Sequence, residues 1–491
     1  MGRKPVRSGK EEKGLYKLDT VRARLRTLFL SQSGKRLLQR LEIDRAVISV
    51  ASYRGWQVIA GPLTVFFIVR FLSPEQQGFY YTFLSLLMAQ GFFELGLSFV
   101  LGISASHEFI HLRWAKKGAV EGDPLALRRF SDLLFKSGAW YAIAALLLTA
   151  ILIPTGLLFF GHKDVGAAMF EWRWPWVLLV LSASLNLWLM PLFAVLEGCG
   201  EVAKVNAVRL LQGISSSIVG WAALGVGAGL YAASASMLCM FVVGISWLVY
   251  DKPKMLPQLL FRQQGLAHGE THCGGLSWRQ EIWPMQWRFG VTVISSFFIY
   301  QLVTPVLFYY QGSVVAGQMG MTMGMVNALY FVALAWIASR VPTFGALVAR
   351  KDWKGLDSLF ARVFKVAFAV IIAGACASLV AIWLIQQHWL AMGDRFLPSF
   401  EVALLLVATV IDLVINAMAA YLRAHRQEPL MYQSVGAAIL RGSAIWLLGM
   451  YFSSLGVVVG ILAVNLLYGL PSSTWIWLKL RREWHQVSPA G

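Results

Sequence analysis

The chain has 491 residues, of which 57% are hydrophobic and only 14% charged, and its mean hydropathy is +0.61. Soluble domains run near about 25% charged and lack uninterrupted apolar runs of this length, so a soluble globular protein is excluded; a transmembrane β-barrel is excluded because the apolar segments do not alternate in short strands. The formal charge of +18 points to inner loops and not to nucleic acid, since Lys and Arg bias the short cytoplasmic loops of helical membrane proteins.

Residues 1–45 form a basic tail with thirteen Lys and Arg. Leu18, Val21, Leu25, Leu28 and Phe29 recur in it at helical spacing, so it reads either as an amphipathic helix on the anionic inner leaflet or as a tail that only fixes orientation. The charged start leaves no room for a cleavable signal peptide. Two spans follow, over 46–71 and 79–104, joined by the turn LSPEQQG. The next are expected over 136–160, 175–196, 206–228 and 230–250, then a polar loop over 251–285. The second half holds spans over 287–310, 314–339, 362–385, 400–422, 430–452 and 456–478, and a tail over 479–491. Each run meets the roughly 20 residues needed to cross the hydrocarbon layer.

The predicted fold is therefore an all-α polytopic membrane protein of twelve transmembrane helices. With the N-terminus inside, inward segments hold 37 of the 43 Lys and Arg, and outward turns hold only Arg70, Lys163, Arg173 and Arg395. That alternation predicts an N-in, C-in orientation. The outward loops are short, which excludes a large external catalytic domain. No Walker sequence and no nucleophile–base constellation is present, so the chain is not read as an enzyme and no catalytic residue is assigned. Cys199, Cys239, Cys273 and Cys376 are scattered and imply neither disulfides nor zinc. His268, His272 and Cys273 in HGETHCGG read as a solvated linker, so no metal and no cofactor is expected.

The remaining two basic residues, Arg54 and Arg441, fall inside spans. Counting at 1.5 Å per residue, Arg54 lies about 12 Å and Glu94 about 15 Å from the inner face, in adjacent antiparallel helices. Asp412 and Arg441 lie roughly 15 Å from the same face in the tenth and eleventh spans. Charges at such depth face a partner or water. Two readings stay open: a structural ion pair in each half, or Arg54 and Arg441 as anion-binding groups in a cleft, with Glu94 and Asp412 accepting protons or holding the arginines when cargo is absent. A guanidinium suits phosphate because its fork donates two parallel hydrogen bonds. Pro62, Pro191 and Pro305 predict kinks within spans. Gln57, Gln90, Asn186, Asn327 and Asn416 read as interhelical glue or as wetting for a cavity.

The halves also repeat. SDLLFKSGAWYAIAAL at 131–146 matches LDSLFARVFKVAFAVI at 356–371, and Leu210-Leu211-Gln212-Gly213 stands where the second half has Ile439-Leu440-Arg441-Gly442. Two six-helix lobes, 46–250 and 286–478, related by an axis along the membrane normal are an architecture of transporters.

VRFLSPEQQGFYYTFLSLL, FFELGLSF, WRQEIWPMQWRFG, TPVLFYYQGSVVAGQMGMTMGM and ALAWIASRVPTFGALVARKDW resemble segments of bacterial polysaccharide exporters and O-antigen flippases, within the multidrug/oligosaccharidyl-lipid/polysaccharide (MOP) exporter superfamily. The resemblance covers most of the chain from residue 45 onward. It implies two lobes facing across a cationic cavity, and alternating-access movement of undecaprenyl-pyrophosphate-linked oligosaccharide across the bacterial inner membrane. Other polysaccharide-assembly proteins would be its neighbours. It places Arg54 and Glu94 among cavity residues, and makes Arg288, at the inner mouth of the seventh span, either a cavity residue or a snorkelling one. The alternatives are a cation-coupled drug antiporter of the same superfamily, and a membrane enzyme or scaffold of polysaccharide assembly.

Overall fold

A computed structural model describes residues 45–115, 118–161, 170–255, 257, 276–388, 390–425 and 429–486. The basic tail before Arg45 and the segment with His268, His272 and Cys273 lie outside the described residues.

The first span, Arg45–Phe71, is a single helix that carries Pro62 without a break. The turn after it is set locally. Ser73 caps the next helix: its hydroxyl accepts from the Gln76 N–H at 3.2 Å, and the Gln76 side chain accepts from the Ser73 N–H at 3.1 Å. Pro74 occupies the first helical turn, where its missing N–H costs nothing.

The second span is not the continuous helix expected over 79–104. It runs as Pro74–Leu87, Gln90–Glu94 and Leu97–Phe109, bent by 44°. Leu95 and Gly96 take left-handed backbone, φ 53° and 67°. A Cβ on Gly96 would lie 2.8 Å from Phe289 Cβ, and one on Gly91 would lie 2.7 Å from a Val293 methyl. The glycines thus admit the seventh span at close range, and the left-handed pair ends the helix there.

A two-stranded ribbon, β1 (Leu112–Trp114) with β2 (Val120–Gly122), leads to the third span, Pro124–Gly161. The fourth, fifth and sixth spans are Arg173–Gly198, Val202–Gly225 and Tyr231–Asp251. The seventh is also broken: a π-helical turn, Trp278–Ile282, leads into Trp283–Tyr300, and Val303–Gln311 departs at 41°. Pro305 lies in that last piece and cannot donate to the Gln301 carbonyl, which explains the break. The eighth, ninth and tenth spans are Ser313–Ala338, Trp353–His388 and Ser399–Arg423.

Met431–Val464 looks like one helix but reverses at Ser453, φ 57° and ψ −149°. Beyond it a Cβ on Gly460 would lie 3.2 Å from the Ala444 methyl, and Tyr468 donates to the Gln433 carbonyl at 3.4 Å. Those pairings are those of an antiparallel hairpin, so this stretch supplies the eleventh and twelfth spans, the latter continuing through Asn465–Gly469 and Leu470–Gln486.

Among the described residues, eight helices are long and apolar enough to cross a membrane, and the two bent pairs raise this to ten. The first span, diluted by Arg54 and Gln57, and the fold-back at Ser453 complete twelve passes in two six-helix lobes. The contacts at each face agree with this alternation. At one face, Lys252 after the sixth span binds Glu201 between the fourth and fifth at 3.2 Å, and its ammonium sits 3.8 Å from the Trp114 ring. At the same face Arg481 pairs with Asp357 at 2.6 Å. This is the terminal face, and the opposite one is called distal below.

Candidate functional site

The first lobe encloses a cavity of about 680 Å³ between its first, second, fourth, fifth and sixth spans. Its polar wall holds Glu197 and Arg209. Arg209 grips Glu197 with both terminal nitrogens, at 2.6 and 3.1 Å. Asn186 and Gln212 also line it, but their amides are spent on the sixth span: Asn186 donates to the Met237 carbonyl at 2.8 Å and Gln212 to that of Met240 at 2.7 Å. These bonds tie helices together within an apolar layer.

Arg54 and Glu94 flank this cavity without meeting. Arg54 is exposed, and its guanidinium donates to Gln57 Oε1 at 3.3 Å. Gln57 in turn donates to the Tyr53 hydroxyl at 3.1 Å, and Tyr53 lines the cavity. No carboxylate among the described residues pairs with Arg54. Glu94 is taken up elsewhere: it accepts from the Ser98 hydroxyl and, at 3.2 Å, from the Tyr141 hydroxyl of the third span. Ser98 is itself a cavity residue. Glu94 is therefore linked to the space through Ser98, and Arg54 through Gln57 and Tyr53.

The second lobe fills the equivalent region. Arg441 contacts Asp412 at 3.4 Å, and Asn465 at 3.4 Å, and its guanidinium lies 5.2 Å from the Tyr300 ring. Asn465 donates to Asp412 at 3.0 Å and to the Ala408 carbonyl at 3.1 Å. The Arg441 side chain is 4% exposed. By the internal repeat Arg441 stands where the first lobe has Gln212, so the same three helices of each lobe are joined by neutral amides in one and by an ion pair in the other. Arg288 joins neither group; it is exposed at the foot of the seventh span, 5.8 Å from the Trp287 ring.

At the distal face the lobes are closed on each other. Gln77 donates to the Gly317 carbonyl at 2.9 Å, and Arg395 donates to the Leu72 carbonyl at 2.8 Å. A Cβ on Gly78 would overlap the Ser313 carbonyl, and one on Gly317 would lie 2.9 Å from the Gly78 nitrogen. Burial lowers the Arg395 pKa below its ordinary value, opposed by nearby Glu75.

Sequence reasoning passed over Glu197 and Arg209, which count as loop-proximal charges, and Asn465. Asn465 carries a signal that could have found it, being the only amide in the apolar run ILAVNLLYG.

No family model and no curated protein matches the sequence. Solved structures do. An inward-facing multidrug resistance MATE family transporter of the MOP superfamily superposes with a TM-score of 0.58 at 14% identity, over 91% of this chain and 100% of that one. The fold is that of the MOP transporters. An outward-facing MATE family transporter of the superfamily gives 0.51 at 13% identity, over 91% and 98%. A MOP superfamily transporter from Pyrococcus furiosus Vc1 (DSM3638), described for the reverse polarity of its binding pocket, also gives 0.51 at 13% identity, over 92% and 99%. At such identity the likeness concerns the fold.

Proposed function

We propose that this chain transports a phosphorylated, lipid-linked oligosaccharide across the bacterial inner membrane by alternating access between its two lobes. The observation that carries this reading is Arg54: a guanidinium inside a membrane span, exposed, held by Gln57 and Tyr53 beside a cavity, and paired with no carboxylate among the described residues. A charge at that depth is costly unless something visits it, and phosphate oxygens match its two-pronged donor edge. The resemblance of the LSPEQQG region to polysaccharide exporters supports the same cargo class.

In this reading Arg54 engages the phosphate, Glu94 takes up a proton or cation, and the polar cavity receives the head group. Arg441 and Asp412, which hold each other, keep the second lobe rigid. Tight packing at the distal face corresponds to a state open toward the terminal face, taken as cytoplasmic. A second reading, cation-coupled drug antiport, is favoured by the two acids, Glu94 and Glu197, at the same cavity. The test is a deletion strain assayed for the leaflet that holds its lipid-linked sugars. Trapping on the cytoplasmic leaflet supports the flippase. Normal translocation with new sensitivity to cationic drugs supports the antiporter.

A further inference from the structure

The second lobe carries a separate apolar trough of about 680 Å³ between the seventh and eleventh spans. Val291, Ser295, Phe298 and Leu302 form one wall at helical spacing, and Ile439 and Trp446 stand on the other. The floor is Gly442: a Cβ there would sit 3.8 Å from both Phe298 Cβ and Leu302 Cδ2. A longer side chain there would project into the trough. Ile439 is 64% exposed and Trp446 50%, so the trough is open along its length. It opens away from Gly290 and Val293, which pack against the second span, and touches the first lobe only where the Phe298 ring stacks on that of Phe92 at 6.2 Å.

Two features say what occupies it. From Val291 to Tyr300 the helix rises roughly 14 Å at 1.5 Å per residue, about half of the ~30 Å hydrocarbon thickness, which is the depth of one leaflet. One turn below Val291, on the same stripe, stands the exposed Arg288. A lone guanidinium at the mouth of a leaflet-deep apolar trough complements an anionic head with a long hydrocarbon tail.

We propose that this trough seats the polyisoprenoid chain of the cargo lipid while Arg288 holds its phosphate on approach. This rests on the lipid-linked cargo proposed above. Arg288 then acts at a lipid entry site distinct from the first-lobe cavity, and the head group reaches Arg54 in a later step.

The test is photo-crosslinking of the full chain in phosphatidylcholine nanodiscs with a benzophenone-tipped polyprenyl diphosphate, followed by peptide mapping. Adducts are expected on 291–302 and 435–447. They should fall roughly tenfold in Gly442→Phe, as loss of a buried apolar contact of one or two methylenes predicts. Ser443→Phe, at the exposed edge of the trough, should act likewise and covers the case that Gly442→Phe misfolds. Equal labelling of the trough by a benzophenone phosphatidylcholine would overturn the proposal, because the trough would then hold any bilayer lipid. Polyprenyl adducts confined to other spans would also overturn it, yet leave the lipid-linked cargo intact. No polyprenyl adduct anywhere would remove both.

Discussion

Gln77 and Arg395 belong to different lobes and hold each other reciprocally. The Gln77 amide donates to the Arg395 carbonyl at 3.1 Å, and the Arg395 guanidinium donates to the Gln77 side-chain oxygen at 3.3 Å. Around them the second and eighth spans approach until only glycine fits, at Gly78 and Gly317. The closure also carries an interdigitated aromatic layer: the Phe308 ring of the seventh span lies 4.8 Å from that of Phe79 and 5.1 Å from that of Phe160. Opening the seam must part this layer as well as the polar bonds, as one lobe turns against the other.

Arg395→Ala should weaken the closure. The bonds it makes to Leu72 and Gln77 are charge-assisted, worth about 1.5–3 kcal/mol each when buried, so the open population should rise at least several-fold. The measurement is labelling of a single cysteine placed at Ser313 by a membrane-impermeant maleimide. Unchanged labelling would show that the glycine seam and the aromatic layer hold the face without Arg395. Gly78→Val should raise labelling further, because its side chain overlaps the Ser313 backbone.

The two arginines within spans, one exposed and one buried, should behave in opposite ways. Arg441→Met strands Asp412 within the lobe, and breaking one side of a buried pair costs roughly 3–5 kcal/mol. Folded protein in the membrane should drop sharply, with partial recovery in the Arg441→Met, Asp412→Leu double variant. Thermal unfolding in detergent reads this directly. Arg54→Gln breaks no ion pair and should leave the unfolding temperature nearly unchanged.

Gly96→Ala should destabilise the bend of the second span. Its φ of 67° disfavours a side chain, and the added Cβ would sit 2.8 Å from Phe289 Cβ. The backbone term alone is about 1 kcal/mol. A lower unfolding temperature is expected, partly restored by Phe289→Ala.

The terminal face should loosen in acid. Burial raises the Glu201 pKa, but hydrogen bonds from Lys204 and Lys252 outweigh it and the net value lies below the ordinary 4.5. A depressed carboxylate stabilises the fold above its unfolded value, and that contribution is lost as pH falls through the folded value. Wild type should therefore lose unfolding temperature below about pH 4.5 more steeply than Glu201→Gln. Parallel curves would show that the Lys252 clip contributes nothing.

Much of the fold is legible in the sequence because the bilayer demands it: long apolar runs, and basic residues at alternate ends. The breaks are not. Nothing local in ELGLS says that Leu95 will turn left-handed; the cause is the seventh span pressing on Gly91 and Gly96. Counting residues puts Asp412 and Arg441 at one depth, and they meet. The same count puts Arg54 and Glu94 at one depth, and they do not. Depth fixes level but not rotation, and Tyr141, in the third span, competes for Glu94. Arg209 hides for another reason: near a helix end, a basic residue looks like any other inner-loop charge until Glu197 is seen beside it.

The central claim is that the Arg54 guanidinium handles an anionic cargo group. The most direct measurement is the cytoplasmic-leaflet pool of lipid-linked sugar in a strain carrying only Arg54→Gln, with membrane abundance of the protein measured in parallel. A loss of about 1.5–3 kcal/mol in a charge-assisted contact corresponds to roughly a tenfold or greater fall in translocation. The pool should rise accordingly, with abundance unchanged and with partial recovery in Arg54→Lys. Normal translocation in Arg54→Gln, at normal abundance, would contradict the account.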